Sequence, residues 1–333
     1  MECEAVGDVL PVCGMQNPED LALLVDGRTL VVSQFGMMDG SRAGNMAFLD
    51  AETREHRVAW RGGDAASSSS DGETWGDPGC PGPPPSEFSP HGISLFTRPD
   101  GRVGLWVVNH GGRESVEGFE LVGVGAEAEY RWRGCVVAPE PLYLNDVVAL
   151  PEGGFLVTHM MSRDEPLWGV IKATLGVDTG SVYEWKPDGG FRELPGSAAP
   201  FPYGIELSED GSTVYLNVYA GNEVRRIDRE SGTLLGSAPV SRPDNSSWGR
   251  DGRLLVASHH GGLPDMIQCQ DIDTGGCPMA FEIVALHPET LAAEVVYAGA
   301  GAPMGGGTVA LDVGDSLVIG SFAGDRVIFA PKH

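Results

Sequence analysis

Residues 90–110, PHGISLFTRPDGRVGLWVVNH, contain a short apolar strand, an acidic-glycine turn at Asp100-Gly101 and a second apolar strand. The pattern returns in PEDLALLVDGRTLVVSQF (18–35), LNDVVALPEGGFLVTHMM (144–161), PYGIELSEDGSTVYLNVY (202–219), PDNSSWGRDGRLLVASHH (243–260) and GGTVALDVGDSLVIGSF (306–322). Counted back from each turn, the same two places read Glu19-Asp20, His91-Gly92, Asn145-Asp146, Tyr203-Gly204, Asp244-Asn245 and Gly307-Thr308. The 90–110 copy carries two extra residues before its turn; the others keep the spacing. Most of these pairs are too polar for an ordinary buried strand. Equivalent hairpins that begin on carboxylates, amides and a histidine suggest elements meeting around one polar site.

A repeat of about forty to seventy residues matches propeller blades with inserted loops. Strand-like pieces lie between the hairpins, among them NMAFLDAETR, SVEGFELV, AEYRWRGCVV, GSVYEWKPDGGFREL, NEVRRIDRESGTLLG, AFEIVALHPET, LAAEVVYAG and DRVIFAP. One hairpin plus one or two outer strands makes a four-stranded antiparallel blade. The expectation is an all-β, six-bladed β-propeller occupying 1–333 as a single domain. Asp26-Gly27, Asp100-Gly101, Asp210-Gly211 and Asp251-Gly252 suit hairpin turns that need positive φ.

Two segments depart from the rhythm. Residues 61–90 are rich in Ser, Gly and Pro and read as a long inserted loop, mobile in part. Residues 162–176 place Leu167, Trp168, Val170, Ile171 and Leu175 at helical spacing directly after the third hairpin, which predicts a short lid helix or a packed connection.

Composition narrows the function. The 333 residues include 48 glycines and 24 prolines, as many tight turns require. The formal charge of −25 argues against nucleic acid or an anionic membrane as partner. It suits cation binding and equally a plain acidic surface. No stretch approaches the ~20 apolar residues of a membrane span. The opening MECEAVGDVL has neither the basic start nor the apolar run of a secretion signal, and a removed leader replaced by Met reads the same. None of the cysteines forms a CxxC pair. Cys3 with Cys13 and Cys269 with Cys277 could close small loops, which points to a periplasmic or secreted protein; free thiols in the cytoplasm are the alternative.

On the inner strands of a propeller, equivalent positions sit at one height around the axis. Glu19, Asn145, Asp244 and Asn245 then converge as hard oxygen donors, the kind calcium takes at ~2.3–2.6 Å. The alternative is that they make local turn and strand-end hydrogen bonds. His91 stands at the matched position of its hairpin, and His110, His159 and His259 end return strands. A histidine beside a metal-polarised carbonyl is a ready general base.

The segment PHGISLFTRPDGRVGLWVVNH resembles the serum paraoxonase/arylesterase family, which runs through PHGIS, a turn and VVNH in that order. The Glu-Asp, Asn-Asp and Asp-Asn segments and the last hairpin resemble the same family, and the whole touches the wider senescence-marker/gluconolactonase propellers. The resemblance implies a six-bladed propeller with two calcium ions in its channel. It implies a catalytic ion on Glu19, Asn145, Asp244 and Asn245, and a structural ion on Asp20, Asp146 and the backbone oxygen of Ile93. It makes His91 and His110 a water-activating pair and His259 another channel histidine. One position departs: the family's fourth-blade asparagine ligand is here Tyr203, a poor calcium ligand when neutral. The THMM segment also lacks the family's Asn-Asp-His run.

The expected function is a calcium-dependent hydrolase of lactones or aryl esters. His91, His110, Tyr203 and His259 are its catalytic candidates. Phe35, His159, Met160 (or Met161), Trp168 and Phe201 are the candidate substrate pocket. The rival readings are a propeller isomerase, lyase or synthase that exploits Tyr203, and a non-enzymatic binding propeller. The expected partner is a small molecule, and the sequence leaves oligomeric state open.

Overall fold

The computed structural model describes residues 1–37, 40–63 and 73–332. Six four-stranded antiparallel sheets follow one another along the chain, as the repeats predict. The innermost strands are Pro18–Leu23, Pro90–Thr97, Leu142–Ala149, Pro202–Leu207, Pro243–Trp248 and Gly307–Val313. Each is hydrogen-bonded to its hairpin partner on one side only, and each packs against the innermost strands of both neighbouring blades, so the strands close a ring around a channel. Apolar side chains fill the gaps between blades. Val31, Phe48 and Trp60 of the first blade, for instance, share a core with Leu105, Phe119 and Tyr130 of the second.

The last blade is completed from the other end of the chain. Leu10–Cys13 pairs with Arg326–Pro331, in register Leu10↔Phe329 to Cys13↔Arg326. This short strand reads weakly in the sequence because it is only four residues long. The disulfide Cys3–Cys13 anchors its end. Cys269–Cys277 also pairs as the spacing suggests, and a third bond, Cys80–Cys135, joins the Ser/Gly/Pro-rich insertion to the outer strand of the second blade.

That insertion is less loose than its composition suggests. Of residues 61–90, expected to be mobile in part, 64–72 lie outside the described residues. Beyond them the backbone is fixed: Trp75 N–H donates to Arg133 O at 2.8 Å and Asp77 N–H to Cys135 O at 2.9 Å. The Trp75 ring lies under the Arg98 guanidinium, 4.7 Å from its centroid.

The hairpin turns differ from the expectation in one respect. Only the glycines take positive φ, at +67° for Gly27 and +86° for Gly101. The aspartates instead accept backbone N–H bonds two residues on, as from Arg28 to Asp26 Oδ1 at 3.1 Å. Aspartate therefore serves as an Asx-turn acceptor rather than as a left-handed residue.

A helix does follow the third hairpin, Pro166–Thr174, with Pro in its first turn. Its orientation reverses the amphipathic reading. Gly169 and Ala173 are buried, while Leu167 and Leu175 are 75% exposed and Trp168 57%. Gly169 allows this close seating: a Cβ there would lie 2.7 Å from Met161 Sδ. A second helix, Leu263–Cys269, has no counterpart in the sequence reading.

Deleting residues 1–13 should leave Arg326–Pro331 as an open edge, which invites sheet-to-sheet association. The expected outcome is a lower unfolding midpoint and concentration-dependent aggregation by size-exclusion chromatography. A truncated chain that stays monodisperse with an unchanged midpoint would refute the closure.

Candidate active site

Each innermost strand is irregular at the same place. Pairing jumps from Pro18↔Gln34 to Asp20↔Ser33, from Pro90↔Asn109 to Ile93↔Val107 and from Leu144↔His159 to Val147↔Val157. The same jump separates Pro202↔Val218 from Ile205↔Leu216, Pro243↔Ser258 from Ser246↔Val256, and Gly307↔Ser321 from Val309↔Gly320. The residues skipped are members of the polar pairs. A bulge removes a residue from the ladder and re-aims its side chain, so each repeat presents its polar pair to the channel.

In the first and third repeats the second member of the pair locks neighbouring blades together. Asp20 accepts the N–H of Leu21 at 2.8 Å and that of Ile93, in the next blade, at 2.7 Å. Asp146 accepts from Val147 at 2.8 Å and from Ile205, again one blade on, at 2.9 Å. Large and small residues alternate here. A Cβ on Gly92 would come 2.5 Å from Asp146 Cα, and one on Gly204 would come 2.7 Å from Asn217 Nδ2.

The first members gather at one level. Glu19 Oε1 accepts from Asn245 Nδ2 at 2.8 Å and lies 3.5 Å from His91 Nε2. Asp244 Oδ2 lies 3.5 Å from His259 Nε2. Glu19, Asp20, Asp146, Asp244 and Asn145 are all buried. Burial, reinforced by the neighbouring carboxylates, pushes Glu19 well above the usual carboxylate range, and burial then Asp20 does the same to Asp244. Asp20 is pushed from 3.8 to about 7 by burial against the pull of its two N–H donors.

These residues fit a hard cation. Glu19 Oε2 and Asn145 Oδ1 are buried without a hydrogen-bond partner, an expensive arrangement unless something positive or donating meets them. Among the described residues no three His, Cys, Asp or Glu side chains gather at ligating distance. The donor set is mixed, two carboxylates with the amides of Asn145 and Asn245, which suits calcium better than zinc. The second expected set is more committed: both oxygens of Asp20 and of Asp146 already hold backbone N–H groups, and Ile93 meets Asp20 through its N–H.

The histidines divide by environment. His91 is held well below its ordinary value by burial, then by His110, and is therefore neutral near pH 7. Its ring centroid is 5.1 Å from that of His110 and 5.2 Å from Phe35. His259 is pushed down to about 4 by burial. Both its nitrogens are engaged: Nε2 lies 2.9 Å from Gly307 O and Nδ1 3.1 Å from the Tyr219 hydroxyl. His159 is held inside the third blade, its Nδ1 at 3.1 Å from Tyr143 N and its ring 6.1 Å from Tyr183.

Tyr203 heads an aromatic wall on the fourth-blade side. It stacks on Tyr219 at 4.5 Å and lies 5.1 Å from Phe201. Phe201 has φ of +60°, a left-handed conformation that costs a bulky residue about 1 kcal/mol and is often found at functional sites. Burial first, then Tyr219 and Asp244, raises Tyr203 well above 10, so its phenol stays protonated. Of the expected pocket residues, Phe35 and Phe201 border this region. Met160 is buried beside Asn145, with Sδ 4.0 Å from Nδ2, and Trp168 stands exposed on its helix. Sequence reading missed Tyr219 and Tyr143. Tyr219 ends the return strand as His110 and His259 do, and that shared position was the available signal. A cavity of about 1140 Å³ occupies the opposite, hairpin-turn end of the channel, bordered by Asp20, Asp146, Ser94 and Glu206. It lies away from His91 and Tyr203.

Comparison with known proteins adds an independent line. The arylesterase family model matches residues 79–328 of the 333. Serum paraoxonase/arylesterase 1 of Mus musculus is 27% identical over 242 residues, covering 71% of this chain and 66% of that protein. The Homo sapiens protein of the same name is 28% identical over 246 residues, again 71% and 66%. The chain thus spans about two thirds of the length of the curated relatives it matches. Among solved structures, a gluconolactonase from Xanthomonas campestris aligns with TM-score 0.54 at 16% identity, covering 98% of this chain and 89% of that one. Regucalcin from Agrobacterium tumefaciens, described as a calcium-binding protein, aligns with TM-score 0.50 at 13% identity, covering 96% and 91%. At such identities the two structures share the fold.

The buried acids set a pH dependence. Asp20 is raised from 3.8 to about 7 and Glu206 from 4.5 to about 8, each mainly by burial. Each of these acids holds its proton to higher pH in the folded chain than in the unfolded one, so its contribution to stability is lost as pH rises. The depressed His259 and His91 act in the opposite direction below 6.5, which leaves the acids to dominate above it. In chelator the unfolding midpoint should decline from about pH 6.5 to about pH 8, and added calcium should restore most of it at the upper end. A midpoint flat across this range in chelator would remove the case for uncompensated buried acids.

Proposed function

The chain belongs to the arylesterase family, and from that premise we propose that the bulged end of its channel hydrolyses carboxylic esters, as lactones or aryl esters. One observation supports this reading above the others: buried Glu19, with an unpartnered oxygen, lies 3.5 Å from a neutral His91 and is bonded to Asn245. Glu19, Asn145, Asp244 and Asn245 are the residues that would hold a calcium ion, and Asp20, Asp146 and the Ile93 backbone are the candidates for a second. When bound at the first set, calcium supplies Lewis-acid polarisation of an ester carbonyl.

The chain's own residues account for the proton. His91, uncharged through burial, takes a proton from water as the water oxygen bonds to the acyl carbon. The acyl–oxygen bond then breaks, and the proton returns to the leaving oxygen. Tyr203, kept protonated, is a hydrogen-bond donor beside Asp244 and Glu19 rather than a ligand. Phe35, Phe201 and Tyr143 offer flat faces to an aryl group or a lactone ring. His259, with both nitrogens engaged, supports Asp244 and Tyr219 in this reading. The helix Pro166–Thr174 is the proposed lid, and the three disulfides favour a periplasmic or secreted location.

The test is hydrolysis of phenyl acetate and a panel of lactones, with calcium and with chelator. Turnover should need calcium, and His91→Gln should lower kcat by about 10²-fold or more. Calcium bound at the site with no turnover of any substrate would sink the hydrolase reading. Tyr203→Asn separates the remaining readings. It should lower activity if Tyr203 serves ester hydrolysis. A gain of esterase activity would instead mean that Tyr203 had turned the channel to isomerase, lyase or synthase chemistry.

A further inference from the structure

His110 has one nitrogen committed and one free. Its Nδ1 lies 2.9 Å and 3.1 Å from the two oxygens of Glu114, while its Nε2 is buried with no partner. The His91 ring, whose Nδ1 is likewise buried and unpartnered, is the neighbour at 5.1 Å. We propose that Glu114 is a positioning residue for His110: the carboxylate fixes the proton on Nδ1, leaves Nε2 basic, and stabilises the imidazolium that forms when His110 receives the proton taken up by His91. This rests on the hydrolase reading of the same site.

The local fold brings this carboxylate to His110. Glu114 lies four residues after His110, outside any helix, so the chain must turn back to bring the two together. Asn109 makes that turn. Its Oδ1 accepts the N–H of Ser89 at 3.0 Å and of Gly111 at 3.1 Å. Its Nδ2 donates to Gly111 O at 3.1 Å and Arg113 O at 3.0 Å. Gly112, at φ +73°, completes the reversal. Glu114 is then enclosed between the second and third blades, 6% exposed.

A second contact ties the same carboxylate to the proposed metal ligands. Glu114 Oε1 accepts the N–H of Leu144 at 2.7 Å. Leu144 precedes Asn145. Four other blades carry proline at that place, Pro18, Pro90, Pro202 and Pro243, and so have no N–H to satisfy. In the sixth, Gly306 N–H bonds to Met279 O at 2.8 Å. The third blade alone sends this N–H to a side chain, and that side chain is the one that holds His110. Arg163 completes the group, with Nη1 3.4 Å from Glu114 Oε2 and Nη2 donating to His110 O at 3.3 Å. Arg163 stands three residues before the helix Pro166–Thr174, so the proposed lid and the histidine pair share this ion pair. Tyr143 packs edge-on against His110 at 5.0 Å and closes the remaining side.

The deciding variant is Glu114→Gln in the full chain. Glutamine keeps an oxygen for the Leu144 and His110 donors but removes the charge. If Glu114 acted only as a structural acceptor, the variant would keep kcat within about twofold. The proposal expects kcat on phenyl acetate to fall by at least about tenfold with KM nearly unchanged. Glu114→Ala should lose both kcat and melting temperature, because the Leu144 N–H is then stranded. Nitrogen-15 spectra of histidine-labelled protein give a readout independent of turnover. His110 should carry its proton on Nδ1 in the wild type, with a shift that changes in Glu114→Gln. A proton on Nε2 in the wild type would overturn the proposal, as would a Glu114→Gln enzyme with full kcat. Should the wild type hydrolyse no ester at all, the hydrolase reading fails while the spectra still decide the tautomer.

Discussion

The structure turns on a carboxylate that reaches across a blade boundary. Asp20 and Asp146 each bind the N–H next to them and the N–H of the following blade's inner strand. These bonds hold neighbouring strands close at the height of the bulges. They also dictate where side chains are allowed. Gly92 and Gly204 are bare because a neighbour fills the space their Cβ atoms would need. Asp20 and Asp146 are thus committed to holding the ring, while Glu19, His91, Asn145, Tyr203 and Asp244, each one residue earlier in its repeat, lie in the same bulges. The proposed functional residues sit one position from this structural motif.

That arrangement carries an electrostatic liability. Several carboxylates are buried at the centre of a chain whose formal charge is −25, and neighbouring carboxylates add to burial in raising Glu19, Asp146 and Asp244. A protein built only for stability would fill such a channel with apolar side chains. Burial pushes Glu19 and Asp244 toward protonation and His91 toward neutrality, so acid and base are both shifted by the same desolvation. If Glu19 held a cation, as proposed, the first shift would be reversed while His91, kept neutral by burial, would stay uncharged. Stability and chemistry would then depend on one occupant.

The repeat was legible because period-two apolar strands and Asp-Gly turns are local signals, and the hairpin alignment alone found the polar pairs. What escaped depends on contacts distant in sequence. Leu10–Cys13 is too short to stand out, and its partner is more than three hundred residues away. The Cys80–Cys135 bond spans an inserted loop and an outer strand that no local pattern connects. The helix Pro166–Thr174 was foreseen, but not its seating. Helical spacing of large apolar residues predicts that they face inward, whereas the close approach over Met161 required glycine. The alignment also treated return-strand ends as equivalent histidines. Their roles diverge with neighbours the alignment cannot see: Glu114 behind His110, Tyr143 beside His159, Tyr219 against His259.

Tyr203 is where this divergence matters most. An amide at that position would add an oxygen to the donor set; a buried, protonated phenol adds a donor and a flat ring. The ring is not isolated. It stacks on Tyr219, whose hydroxyl meets His259 Nδ1, and His259 Nε2 lies against Gly307 O and near Asp244. The fourth blade therefore reaches Asp244 by way of the fifth, through side-chain contacts instead of through a ligand. If the proposed cation is held there, one protein donor fewer would leave more of it open to water or substrate oxygen, and the stacked Tyr203 and Tyr219 would favour flat groups at that side. On the proposed reading, tyrosine at 203 would trade tighter metal enclosure for selection of what reaches the metal. Phe201, held at positive φ beside Tyr203, extends the same surface.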